Sequence, residues 1–203
     1  MSRMVFHMIY FYTNNKEVNY LLDGILDVQM EIARKAVEYE IDAVWTGDDF
    51  GNQLALAFSP AIFRKYFKAR YEKLWGFYRS KDKKIFHHSC GNTMEILDDL
   101  IEIGLDVINP VQPEAMNIKI LSDKYSDKIS FFGGISTQRV LPFGTREEVI
   151  NEIREKVKAL GINSGYIVSP SHEVTSDCPM ANFEAMRTEF MKISGVGSKN
   201  KHE

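Results

Sequence analysis

A parallel α/β sheet is the fold the sequence predicts, on three observations. From about residue 40 onward, short β-rich runs alternate with longer helical patterns, the order expected of repeated βα units. Most of those runs are continuous and apolar, as strands covered on both faces should be. The helical stretches between them carry start and stop signals at their ends.

The elements follow in order. Val5 to Tyr12 reads as a strand or as a helix start, since periodicity alone decides neither. Val18, Leu21, Leu22, Ile25, Ile32, Ala33 and Ala36 recur at helical spacing and predict a long amphipathic helix. Five strands are then expected at residues 43–46, 84–88, 106–109, 130–132 and 166–169. Ser59 and Pro60 read as N-cap and first helical position of the helix after the first strand. Tyr66, Phe67, Tyr71, Trp75 and Phe77 in that helix read as packing and not as a cofactor box. Asn92 with Glu95 has capping-box spacing, and Gly104 closes that helix. Thr145 with Glu148 repeats the spacing and Gly161 ends the helix, while Asp177 and Pro179 open the last one.

The chain has 203 residues, 44% hydrophobic and 26% charged, the balance of one globular domain with a real core. That domain is expected over residues 1–194, with a disordered tail at 195–203. A formal charge of -3 with scattered lysines and arginines offers no field for phosphate backbones or anionic lipid, so nucleic acid and membrane partners are not expected. Two cysteines, Cys90 and Cys178, build no disulfide framework; a reducing compartment, the cytoplasm, is the expectation. The apolar opening run is short, carries His7 and lacks a small-residue cleavage site, so it does not read as a signal peptide. No stretch approaches the ~20 apolar residues of a membrane span.

In parallel α/β folds chemistry collects at the C-terminal ends of strands. His88 and Cys90 close the strand at 84–88, and a spacing of two turns both side chains to one side of an extended backbone, away from His87 and Ser89. Cys90 precedes Gly91 and the Asn92 cap, where free backbone N–H groups and the helix dipole would favour a thiolate. Imidazole nitrogen and thiolate sulfur suit zinc. A buried thiol beside a hydrogen-bonded histidine accounts for the same pair. His172, after the last strand, can reach across the mouth as a third ligand, leaving one position open; Cys178 is its rival. Asp48 and Asp49 end the first strand, and Asp49 is the candidate for proton handling or substrate orientation, loop capping being the alternative. Asn109 and Gln112, and Gly133 and Gly134, end two further strands and would bring polar groups and close backbone approach to the same mouth.

Together, these strand ends resemble the uroporphyrinogen decarboxylase superfamily. The resemblance rests on six motifs in order: the run Gly47 to Pro60; His88-Ser89-Cys90-Gly91-Asn92; Asn109-Pro110-Val111-Gln112; Gly133-Gly134-Ile135 with Thr137 and Gln138; Phe143-Gly144-Thr145; and Ser169-Pro170-Ser171-His172. It runs from about residue 20 to 192. It implies a parallel (β/α)8 barrel of the TIM type, with only about the last five βα units in this sequence. Such an incomplete barrel would be completed by another chain, would rearrange, or would derive from an incomplete gene.

The resemblance also separates two activities. Its corrinoid methyltransferase branch holds zinc through His-x-Cys and a later cysteine and passes a methyl group from methylcobamide to a thiol. This sequence matches at His88 and Cys90, and has His172 where that cysteine would stand. The decarboxylase branch has a histidine at the last strand, facing a tetrapyrrole, and lacks His-x-Cys. The two matched ligand positions favour a zinc-dependent methyltransferase with a small-molecule thiol acceptor and a corrinoid-protein donor. A decarboxylating lyase of porphyrin biosynthesis and a non-catalytic subunit binding a corrinoid or tetrapyrrole are the alternatives.

Overall fold

The computed structural model describes residues 9–163 and 165–195. Residues 196–203 of the expected tail, and residues 5–8 of the ambiguous opening run, lie outside them. Within this span the chain alternates helix and strand: α1 (Asn15–Ala36), β1 (Ala43–Gly47), α2 (residues 60–79), β2 (Lys84–His88), α3 (Leu97–Glu102), β3 (Val107–Asn109), α4 (Ile118–Tyr125), β4 (Ser130–Ile135), α5 (Val140–Phe143), α6 (Arg146–Leu160), β5 (Tyr166–Pro170) and α7 (Met180–Ser194). The five strands form one sheet in the order β1-β2-β3-β4-β5, every pair parallel. This is the expected succession of βα units, and among the described residues the sheet stays open at β1 and β5.

One face of the sheet is packed under helices. Ile85, Ile108 and Phe131 on that face, with Trp75 of α2 and Leu97 and Leu100 of α3, belong to the larger core. Each such fully buried side chain contributes about 1.5–3 kcal/mol of transfer free energy. A smaller cluster joins Ile135 of β4 to Leu141, Val149, Ile153 and Met186. The opposite face carries Trp45 in ring contact with Phe86 and Phe132, with Trp45 also 6.2 Å from the His88 ring.

The punctuation of the helices is partly as expected. Ser59 accepts from the Ile62 N–H, and Thr145 and Glu148 close a full capping box. Asn92 does not begin a capping box: its Oδ1 accepts from Met94 N two residues on, and a 3-10 turn at Met94–Ile96 precedes α3. Asp177 caps nothing in α7 and bonds Thr175 instead. Helix α2 is interrupted by a π-helical segment, Phe63–Lys68, which nothing in its periodicity announces. Helix α1 is amphipathic, yet Leu21, Ile25 and Ile32 of its apolar set are 58%, 48% and 51% exposed. Among the described residues only Met30 and Ala33 of α1 are buried. No helix among them is long and apolar enough to cross a membrane.

The fourth strand outruns its expected length. Gly133 and Gly134 are paired with Val168 and Ser169 of β5, inside the strand. Both have positive φ, 116° and 86°. A Cβ on Gly133 would lie 1.8 Å from the Pro110 carbonyl oxygen, and one on Gly134 2.8 Å from the Tyr166 hydroxyl. The conformational freedom of these glycines is thus used by the chain's own packing.

Candidate metal centre at the strand ends

The loops after β1 and β2 are clasped together, and this positions the site. Asp48 N–H donates to the His88 carbonyl at 3.0 Å, and Asn92 N–H to the Asn52 carbonyl at 2.8 Å. Gly51 and Gly91 make the clasp possible: a Cβ on Gly51 would meet Asn92 N at 2.7 Å, and one on Gly91, whose φ is 79°, would meet Asn52 O at 2.5 Å. With the loops so held, Asp49 sits over Cys90, its Oδ1 accepting the Cys90 N–H at 3.0 Å.

Three donor atoms converge there. Cys90 Sγ lies 3.3 Å from His88 Nε2, and Asp49 Oδ1 lies 3.7 Å from the same nitrogen. Among the described residues these three form a group whose ligand atoms all lie within 4.8 Å of one another and can hold a metal ion. The group is half open to solvent, Asp49 being exposed and the other two half-buried.

The imidazole is oriented from behind. His88 Nδ1 is 2.6 Å from Asn109 Oδ1, and Asn109 Nδ2 donates to the Phe132 carbonyl at 3.2 Å. The carbonyl can only accept, so the amide nitrogen must face Phe132 and the amide oxygen must face His88. Nδ1 therefore carries the proton, and the Nε2 lone pair is free toward Cys90 and Asp49. A polar partner that fixes the tautomer in this way is the usual support of a metal-binding histidine. Asn109, expected as a polar group at the mouth, is here the residue that aims His88.

The electrostatics depart from expectation. Burial pushes the Cys90 thiol above its ordinary pKa, and the charge and hydrogen bond of Asp49 push the same way. The N–H groups expected to favour a thiolate are engaged elsewhere, Cys90 N–H with Asp49 and Gly91 N–H with Gln112 Oε1. The free protein thus holds a thiol, and a cation between the three donors would reverse that preference. Burial also raises Asp48, against the hydrogen bond from Tyr71 and with the charge of Asp49. Away from the site, His87 is fully buried among Phe50, Tyr71 and Trp75, and Ser89 Oγ accepts from Phe50 N.

Asp49, and not His172, has its donor atom with those of His88 and Cys90. The sheet order explains it: Asp49 follows β1, the neighbour of β2, whereas His172 follows β5, three strands away, roughly 14 Å at the ~4.8 Å strand spacing. His172 and Gln112 instead line a cavity of about 310 Å³ with Cys90. Cys178 lies in a different place, packed against the smaller core cluster. The βα order implies that β1 and β2 are neighbours, which puts Asp49 near His88, but the reach of its loop is set by the clasp.

The family model for uroporphyrinogen decarboxylase (URO-D) matches residues 3–192. The chain belongs to that family. No curated protein matches the sequence. Among solved structures, a methyltransferase from Methanosarcina mazei is similar in fold, with a TM-score of 0.72 at 21% identity. The alignment takes in 92% of this chain and 52% of that one, so this chain spans about half the length of the structure it matches.

Proposed function

We propose that this URO-D chain is the metal-binding part of a zinc-dependent methyltransferase that passes a methyl group from a corrinoid to a thiol. His88 Nε2, Cys90 Sγ and Asp49 Oδ1 hold the ion, leaving one position for the acceptor sulfur. The observation that carries the reading is the convergence of nitrogen, sulfur and oxygen donors within 4.8 Å, with His88 aimed by Asn109. Zinc takes N, S and O ligands at ~2.0–2.3 Å in tetrahedral sites, and three protein ligands with one vacancy is its catalytic pattern.

Bound there, the ion would lower the pKa of the acceptor thiol. The acceptor's proton would leave to solvent, to which the half-open group gives access. The thiolate sulfur then bonds to the methyl carbon as the cobalt–carbon bond breaks, and the electron pair of that bond stays on cobalt. A corrinoid protein is the expected donor. Two of its donors, His88 and Cys90, form the His-x-Cys pair that distinguishes the methyltransferase branch in the resemblance.

The test is zinc quantification after dialysis, paired with methyl transfer from methylcobalamin to 2-mercaptoethanol. One zinc per chain is expected in the wild type and in His172→Ala, and none in His88→Ala or Cys90→Ala. A wild-type protein without zinc ends the proposal, and carbon dioxide release from uroporphyrinogen by that zinc-free protein would place it with the decarboxylases. Zinc lost in His172→Ala would return that residue to the ligand set.

A further inference from the structure

The segment that carries His88 and Cys90 is gripped from both sides by backbone N–H groups that alternate in direction. Ser89 N–H donates to the Asn109 carbonyl at 2.9 Å and Gly91 N–H to Gln112 Oε1 at 3.2 Å, both on the β3 side. Cys90 N–H donates to Asp49 Oδ1 at 3.0 Å and Asn92 N–H to the Asn52 carbonyl at 2.8 Å, both on the β1 side. Two of these acceptors are side chains, Asp49 and Gln112.

The two side chains differ in what else they do. Asp49 holds Cys90 with the oxygen that also lies 3.7 Å from His88 Nε2, so its hold is shared with the metal centre. Gln112 is outside the ligand group and buried. Its carbonyl accepts the N–H groups of Ala115 at 3.0 Å and Met116 at 2.8 Å, which anchors the backbone from which the side chain reaches. Gly91 N–H can only donate, so the amide oxygen of Gln112 must face it. That bond fixes the plane of the Cys90–Gly91 peptide. Gly91 has a φ of 79°, where glycine turns freely, so the plane is held by the hydrogen bond and not by local sterics.

The turn that carries Gln112 is strained. Val111, fully buried and β-branched, sits at a φ of 50°, a conformation such residues rarely adopt and one that persists where surrounding contacts over-determine it. Asn109 and Gln112, at the two ends of this turn, are the residues whose side chains reach the segment after β2.

We infer that Gln112 is a positioning residue of the metal centre: it sets the stance of the Cys90 sulfur through Gly91, as Asn109 aims the His88 ring. The inference rests on the zinc reading above, and its test separates the two.

The first measurement needs no metal. With chelator present, hydrogen exchange of the Gly91 amide is followed by NMR. The amide should be protected in the wild type and in Gln112→Glu, which keeps an acceptor. It should lose that protection in Gln112→Met, which fills the same space without one. A wild-type Gly91 amide that exchanges as fast as one in an unfolded chain overturns the inference.

The second measurement uses cobalt(II), which accepts nitrogen, sulfur and oxygen ligands and gives a thiolate-to-metal absorption band. Gln112→Met should bind cobalt at least about tenfold more weakly, the scale for losing an outer partner of a ligand, with the thiolate band changed in position or intensity. Asn182→Ala removes a buried amide of α7 that bonds the Leu141 and Gly144 carbonyls. It should lower stability in urea and leave cobalt affinity and the band as in the wild type. If Gln112→Met does not fold, Gln112→Asn, one methylene too short to reach Gly91, takes its place in both measurements. A folded Gln112 variant with wild-type cobalt affinity and band overturns the inference and leaves the zinc reading intact. Wild-type protein that binds neither cobalt nor zinc overturns the zinc reading and the inference with it.

Discussion

Asn109→Ala tests whether the histidine is aimed from behind. The substitution removes the acceptor 2.6 Å from His88 Nδ1 and the donor 3.2 Å from the Phe132 carbonyl. Without the acceptor the imidazole proton is free to move to Nε2, the atom needed for the metal. Loss of such an outer partner typically lowers metal affinity by about 10–100-fold, which is about 1.4–2.8 kcal/mol. The side chain is also buried at 7% exposure, so the orphaned Phe132 carbonyl should cost about 1–3 kcal/mol of stability. Zinc competition against a chromophoric chelator reads the first effect and urea unfolding of zinc-free protein the second. Asn109→Asp separates them, since it keeps an acceptor for Nδ1 and loses the donor to Phe132: affinity should stay near wild type while stability falls. An Asn109→Ala protein that is destabilised yet binds zinc as tightly as wild type would refute the aiming argument.

Three further outcomes are expected. Gly133→Ala must displace Pro110, whose carbonyl oxygen lies 1.8 Å from the new Cβ, at a φ of 116°; a loss of about 4 kcal/mol or more is expected in urea unfolding, whereas Gly24→Ala in α1, with nothing within 4 Å, should gain about 0.5–1 kcal/mol. Burial, helped by the nearby charge of His88, holds His87 at about 3, below its ordinary 6.5. Its contribution to stability is therefore complete above pH 6.5 and is lost as pH falls toward 3, at about 1.4 kcal/mol per unit; His87→Phe, studied with chelator present, should flatten that part of the stability profile. Thr145→Ala removes one arm of the capping box of α6 and should cost about 1 kcal/mol by thermal unfolding, with zinc content unchanged.

The fold was legible because strand runs and helix punctuation are local. The continuous apolar runs at residues 43–45 and 166–168 fix strands without knowledge of their neighbours, and Thr145 with Glu148 announces α6 from four residues. What failed was set by tertiary contact. Gly133 and Gly134 read as the end of a strand facing the mouth until Pro110 is seen against them, and the π-helical segment in α2 has no periodicity of its own. Asn92 has the right spacing for a cap but turns its amide to Met94 and Leu54. At the site, His88 and Cys90 follow from a spacing of two on a strand. Asp49 was legible as a polar strand end but not as a donor, because a loop's reach depends on the Gly51 and Gly91 clasp. Cys90's environment was misread for the same reason: its N–H belongs to Asp49 and not to a helix dipole.

The bonds from Phe132 to Asn109 to His88 run crosswise over β4, β3 and β2 at one level, where His88 is registered with Asn109. A shift of β3 by a single residue would turn Asn109 to the helix-covered side and release the ring it steers. A cation held at Nε2 would therefore report strand alignment, because the aim of His88 depends on the register of β2, β3 and β4. By the same linkage, an ion bound at that centre would staple the middle of the sheet.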